Sequence, residues 1–115
     1  MNDEYKPKLE SFFASVKALK EAGWQPLVSD DGAIRLNPLG MKRLSMCPIS
    51  AIMLSRYDVP IRDQDITEDH FKELDVPNPL GWMIIGAVDN SWCDDDTMQV
   101  RREFLSLLEL EEIPV

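Results

Sequence analysis

The sequence predicts a mainly α fold: about five short helices around a central buried helix, with one small β-hairpin, in a single helical domain over residues 1–115. Three observations predict it. Residues 79–88 (PLGWMIIGAV) form the longest stretch with no charge and almost no polar side chain. Residues 5–19 and 98–110 carry apolar side chains at three- and four-residue steps, the period of a helix that buries one face. Asp31-Gly32 lies between two short apolar arms, the strongest local hairpin signal in the chain.

Taken in order, Tyr5, Leu9, Phe12, Phe13, Val16 and Leu19 share one stripe of a first helix, with Lys6, Lys8, Glu10, Lys17, Lys20 and Glu21 mostly opposite. Lys17 and Lys20 fall in its last turn, where the helix dipole favours cations. Gly23 supplies a left-handed stop, and Trp24 packs back toward Leu19. Residues 24–28 and 33–36 are the hairpin arms. Pro26 has no N–H to give a ladder, so the first arm belongs at an edge, and a two-stranded ribbon must lean on the helices. Asn37-Pro38-Leu39-Gly40 is turn chemistry, and residues 41–46 make a short basic connector.

Cys47-Pro48 opens a second helix, with Pro48 at the first position. Ile49, Ile52, Met53 and Tyr57 mark its inner side, Ser50, Ser55 and Arg56 its wetter side, and Asp58-Val59-Pro60 ends it. After the polar link Arg62-Asp63-Gln64-Asp65, either Asp65 or Thr67 caps a third helix running to about Leu74. Ile66, Phe71 and Leu74 face inward, and Glu68 and Asp69 suit the positive end of the dipole. Asn78 caps the central helix and Pro79 takes its first position. Trp82 to Val88 is apolar on every face and so should be surrounded. Gly81 and Gly86 read there as close-packing positions. Asp96 and Gln99 have capping-box spacing for a last helix to about Leu110. Val100, Phe104, Leu107 and Leu108, with Met98, Leu105 and Leu110, cover more than half its circumference. Either two neighbours cover that stripe or one edge meets another molecule.

The net charge of −9 and sequence pI near 4.4 argue against direct nucleic-acid binding, which needs Lys and Arg on phosphates. They argue equally against docking on an anionic membrane. Residues 1–57 balance at +2 and residues 58–115 at −11, so the second half is an anion. The N-terminus is polar and acidic, with no signal-peptide pattern. The uncharged run 76–88 is shorter than the roughly 20 apolar residues of a membrane span. A cytoplasmic protein with two free thiols, Cys47 and Cys93, is the expectation, although spacing alone leaves a Cys47–Cys93 disulfide open.

Few groups carry chemistry. A thiol at a helix N-terminus near Lys42 and Arg43 is placed to form thiolate, and Cys47, His70 and Asp89 follow the order of a thiol hydrolase. No oxyanion donor is recognisable beside them. Zinc needs paired Cys spacing that is absent. Residues 89–96 have the oxygen donors of a calcium loop but lack its glycine and its terminal glutamate. No cofactor and no metal is expected, and the chain is read as a non-enzyme.

The leading expectation is a small acidic interaction protein. Asp63, Asp65, Glu68, Asp69, Glu73 and the loop Asp94, Asp95, Asp96 would form one anionic surface with Trp92 as an anchor inside a charged rim, unless that ring tucks into the core. Its partner would be a basic protein surface that ordinarily holds nucleic acid, the arrangement of small phage or mobile-element inhibitors. The alternative is a structural or adaptor domain that self-associates as a homodimer through the last helix. A thiol enzyme using Cys47 comes third.

Overall fold

In a computed structural model that describes residues 1–38 and 44–112, the chain runs α1 (Tyr5–Glu21), β1 (Gln25–Val28), β2 (Ile34–Asn37), α2 (Pro48–Tyr57), α3 (Glu68–Glu73), α4 (Asn78–Asp89) and α5 (Asp95–Leu107), with a 3-10 turn at Asp63–Asp65. It is mainly helical with one two-stranded antiparallel hairpin. The Leu39-Gly40 turn and the Met41-Lys42-Arg43 part of the connector lie outside the described residues.

The α1 stripe is buried at Leu9, Phe12, Val16 and Leu19. Its end is the predicted stop: Gly23 has φ 108°, and the Trp24 N–H reaches back to the Leu19 carbonyl at 3.0 Å. Gln25 pairs with Asn37 and Val28 with Ile34. Leu36 exchanges both backbone hydrogen bonds with Met46 on its other side, at 2.9 Å each. It therefore points no backbone group at Pro26, its opposite in β1, and the proline sits where its missing N–H costs the ladder nothing. The Gly32 N–H closes a turn onto the Ser29 carbonyl, and Gly32 at φ 88° turns the chain into β2.

One continuous core joins α1, β2, α2, α4 and α5, and the Phe71 of α3 enters it. Phe12 and Phe13 meet Phe104 edge-on across the α1–α5 contact, with ring centroids 5.9 and 4.8 Å apart.

Several expectations need correction. The central helix starts one residue early, with Asn78 inside it and Pro79 second, and Pro77 flanks the start. Nor is it buried all round. Leu80, Ile84, Ala87 and Val88 are inside, whereas Trp82 is exposed and Met83 and Ile85 are half-buried. Among the described residues α4 packs on α5, α3 and β2, which leaves its outer side uncovered.

On α2 the hydroxyl and the phenol trade places. Ser50 is buried because its hydroxyl donates to Asp63, and Tyr57 is exposed at the helix end. Thr67, not Asp65, is the α3 cap, and its N–H donates to His70 Nδ1 at 2.9 Å. The cap of α5 is Asp94 rather than Asp96, and the helix stops at Leu107. The broad α5 stripe is covered by two neighbours, α4 and α1. Met98, Leu107 and Leu110, at the edge of that stripe, stay half-buried.

Within α5, Arg101 is buried among the apolar side chains, its side chain 2% exposed. Its Nη1 donates to the Ala87 carbonyl at 2.9 Å and its Nη2 to the Gly32 carbonyl at 2.8 Å. Nε and Nη2 together clasp Glu112, at 2.7 and 2.8 Å. One guanidinium thus ties the hairpin turn, the last turn of α4 and the chain beyond α5.

Candidate interaction surface

The nine predicted surface residues are Trp92 and eight acids, and the acids separate into those the fold uses and those it leaves free. Asp63 belongs to the first kind. Its carboxylate pairs with Arg35 and accepts from the Cys47 N–H and the Ser50 hydroxyl, both at 3.1 Å. Arg35 in turn donates to the Ser45 carbonyl at 2.8 Å. This clamp fixes the start of α2 against β2. Asp65 is held by Arg62 at 3.1 Å, and Asp96 lies 3.3 Å from the amino group of Met1.

Asp94 is committed to its cap, accepting from the Thr97 N–H at 3.2 Å and the Thr97 hydroxyl at 2.7 Å. The side-chain bond from Thr97 holds its carboxyl below the usual carboxylate range, with the backbone N–H second. Its outer side remains exposed.

Glu68, Asp69, Glu73 and Asp95 are exposed and have no ion-pair partner among the described residues. Their placement follows from the helices that carry them. Glu68 and Asp69 start α3 and, with Asp75 and Lys72, line a shallow concavity of about 480 Å³ against Pro77 and Asn78, where α4 begins. Asp95 stands at the start of α5, beyond the other end of α4. Those two positions are separated by the length of α4, 12 residues or about 18 Å. The expectation of one continuous anionic patch thus gives way to two acidic ends.

Trp92 does not tuck into the core. It is 52% exposed, and its indole lies over α4 at Gly86, where a Cβ would come within 2.9 Å of Cε3 and 3.0 Å of Cδ2. Trp82, which sequence reading placed inside, is 37% exposed and rests edge-on against Phe71, with centroids 5.0 Å apart and an interplanar angle of 86°. The signal that could have found it is spacing. Trp82 and Gly86 are four apart, hence on one face of α4, and a glycine that admits Trp92 marks that face as the outer one.

The thiol chemistry does not assemble. Cys47 is 3% exposed, and burial pushes its thiol up to about 12, against any gain from the helix N-terminus. The charges of Asp63 and Asp89 add to the rise. His70 is occupied in capping α3, Asp89 is itself pushed above the ordinary carboxylate value by desolvation and then by Asp63, and Cys47 and Cys93 are both free. Among the described residues no three His, Cys, Asp or Glu side chains gather as a metal site would require. No helix among them is long and apolar enough to cross a membrane. No protein-family model, no curated protein and no solved structure matches the chain.

Proposed function

We propose that the protein is a non-catalytic interaction module that engages a basic protein surface, of the kind nucleic-acid-handling proteins carry. The observation that supports this most is how the ion pairs are distributed. Lys6, Lys8, Lys20, Arg35, Arg62 and Arg101 already pair with Asp3, Asp75, Glu109, Asp63, Asp65 and Glu112. These six pairs are neutral, so the net charge of −9 is carried by the side chains outside them, fifteen acids against six bases. Glu68, Asp69, Glu73 and Asp95 are among those acids, with Glu68 and Asp69 near the start of α4, Asp95 beyond its end, and the rings of Trp82 and Trp92 exposed on its outer face. A cationic partner would be drawn by Coulomb attraction and meet an apolar centre with an acidic rim.

The test uses a basic nucleic-acid-binding partner, recovered on the immobilised protein and then purified. Its affinity should fall steadily as salt rises. The combined substitutions Glu68→Lys, Asp69→Lys and Asp95→Lys should weaken it roughly tenfold or more at low salt, with the fold intact. Affinity that ignores both salt and these reversals refutes the reading.

A further inference from the structure

We infer that the outer face of α4, from the concavity at Glu68 and Asp69 across Trp82 and Trp92 to Asp95, is a docking seat for an arginine-bearing segment of a protein partner. This rests on the interaction-module reading above and specifies the partner's chemistry.

Trp82 and the Gly86 that Trp92 covers are four residues apart, about 6 Å along the axis and 40° around it. The two indoles therefore share the outer face of α4, Trp92 over Gly86 on one side of Trp82 and the half-buried Ile85 on the other. Each is backed, Trp82 by the Phe71 edge and Trp92 by the bare backbone of Gly86. Rings already held in place lose little freedom when something covers them. Two exposed tryptophans on one face are also costly to leave in water, and such rings form the centres of binding surfaces.

Charge decides what covers them. A second copy related by a two-fold axis would bring this face onto itself, so that acidic ends met acidic ends whichever way the helices ran. A nucleic-acid strand offers bases to stack but carries phosphates toward Glu68, Asp69 and Asp95. A cationic segment satisfies both features. Of the two basic side chains, arginine fits better: its flat guanidinium stacks on an indole and its fork matches a carboxylate, whereas lysine offers a hydrated point charge.

The experiment compares hexa-arginine and hexa-lysine peptides, matched in charge, on the full chain at low salt. Binding is read by the indole N–H signals of Trp24, Trp82 and Trp92 in a 15N-labelled sample. Hexa-arginine should bind roughly fivefold or more tightly than hexa-lysine, from stacking on two rings. The Trp82 and Trp92 signals should move while that of half-buried Trp24 stays. Trp92→Ala should bring hexa-arginine toward the hexa-lysine affinity, with an unchanged Trp24 signal and parent-like far-UV circular dichroism of the free variant certifying its fold. Equal binding of both peptides with the Trp82 and Trp92 signals still overturns the seat and leaves the acidic-module reading standing. Failure of both peptides to bind overturns the seat and the acidic-module reading together. Oligothymidylate moving the two signals as hexa-arginine does, or a dimer that Trp92→Ala dissociates, overturns the choice of occupant.

Discussion

Replacing Arg101 by methionine tests whether a buried cation is a structural tie or a tolerated exception. Methionine keeps the unbranched apolar stem and stops where the guanidinium begins, so it removes the guanidinium and little else. Two effects oppose each other. The thioether end adds some apolar burial, but the arginine stem is buried already, so the gain is a fraction of the ~1.5–3 kcal/mol of a whole side chain. Against it, the carbonyls of Ala87 and Gly32 lose the donor that reaches them, at about 1–3 kcal/mol each for a buried group left unpaired. The carbonyls win, and Arg101→Met should cost about 3 kcal/mol. Glu112→Ala takes away the outer partner instead. Glu112 is 54% exposed, so water can take its place beside the guanidinium, and the cost should stay near 1 kcal/mol. Urea unfolding followed by far-UV circular dichroism reads both. With a slope of ~1–3 kcal/mol per molar, the methionine variant should lose about 1–3 M in its midpoint and the alanine variant about a third of that. A methionine variant within ~1 kcal/mol of the parent, or an alanine variant that is the worse of the two, refutes the idea that the backbone carbonyls are what the arginine serves.

The acid limb of stability should bear the same signature. The hydrogen bonds from Arg101 hold Glu112 below its ordinary value of 4.5, so its contribution is fully present above that pH and is lost as pH falls through the lower folded value. Urea midpoints measured from pH 6 down to about 3 should therefore decline less steeply in Arg101→Met than in the parent, and parallel curves would count against the clasp. Asp89 has the opposite sign, being raised by desolvation, so Asp89→Asn should leave neutral-pH stability unchanged or improved; a clear loss contradicts the assignment. Alkylation of the native protein should label Cys93 and spare Cys47 until urea is added, and rapid reaction of both thiols would contradict the burial and the high thiol value. Gly81→Ala should destabilise by about 1–2 kcal/mol, because its Cβ would fall within 2.7 Å of Phe71 Cε2 in a fully buried ring. Gly86→Ala meets only the exposed Trp92 and should be near neutral in stability while shifting that indole; equal costs at the two glycines would refute the difference.

Sequence reading located elements well where a local rule was in force. The 3.6 period gave α1 its four buried residues, Gly23 and Trp24 gave its stop, and Cys47-Pro48 gave the start of α2. It failed where the answer depended on a partner far along the chain. Nothing near Ser50 announces that Asp63, 13 residues away, will draw its hydroxyl inside. Nothing near Arg101 announces carbonyls 14 and 69 residues distant, and on a period-3.6 plot it reads as a polar break in the α5 stripe. The cap of α5 was misplaced because Asp94, Asp95 and Asp96 are chemically equal as caps, and only the loop's path selects the first.

The same long-range pairing explains why the candidate surface was half legible. A run of carboxylates shows its charge in sequence but not its engagement. Asp63 and Glu68 look alike there, yet one is clamped by Arg35, Cys47 and Ser50 while the other faces solvent. The separation has a physical cause. Asp63 lies in a turn packed on the start of α2, where an unpaired backbone N–H had to be met, whereas Glu68 stands in the first turn of α3, where the dipole favours it and no neighbour competes. Acids that answer a backbone need are spent on the fold. Acids placed only by a dipole keep their outer faces for something else, and in this chain those acids stand near the two ends of α4, over whose outer face the exposed indoles lie.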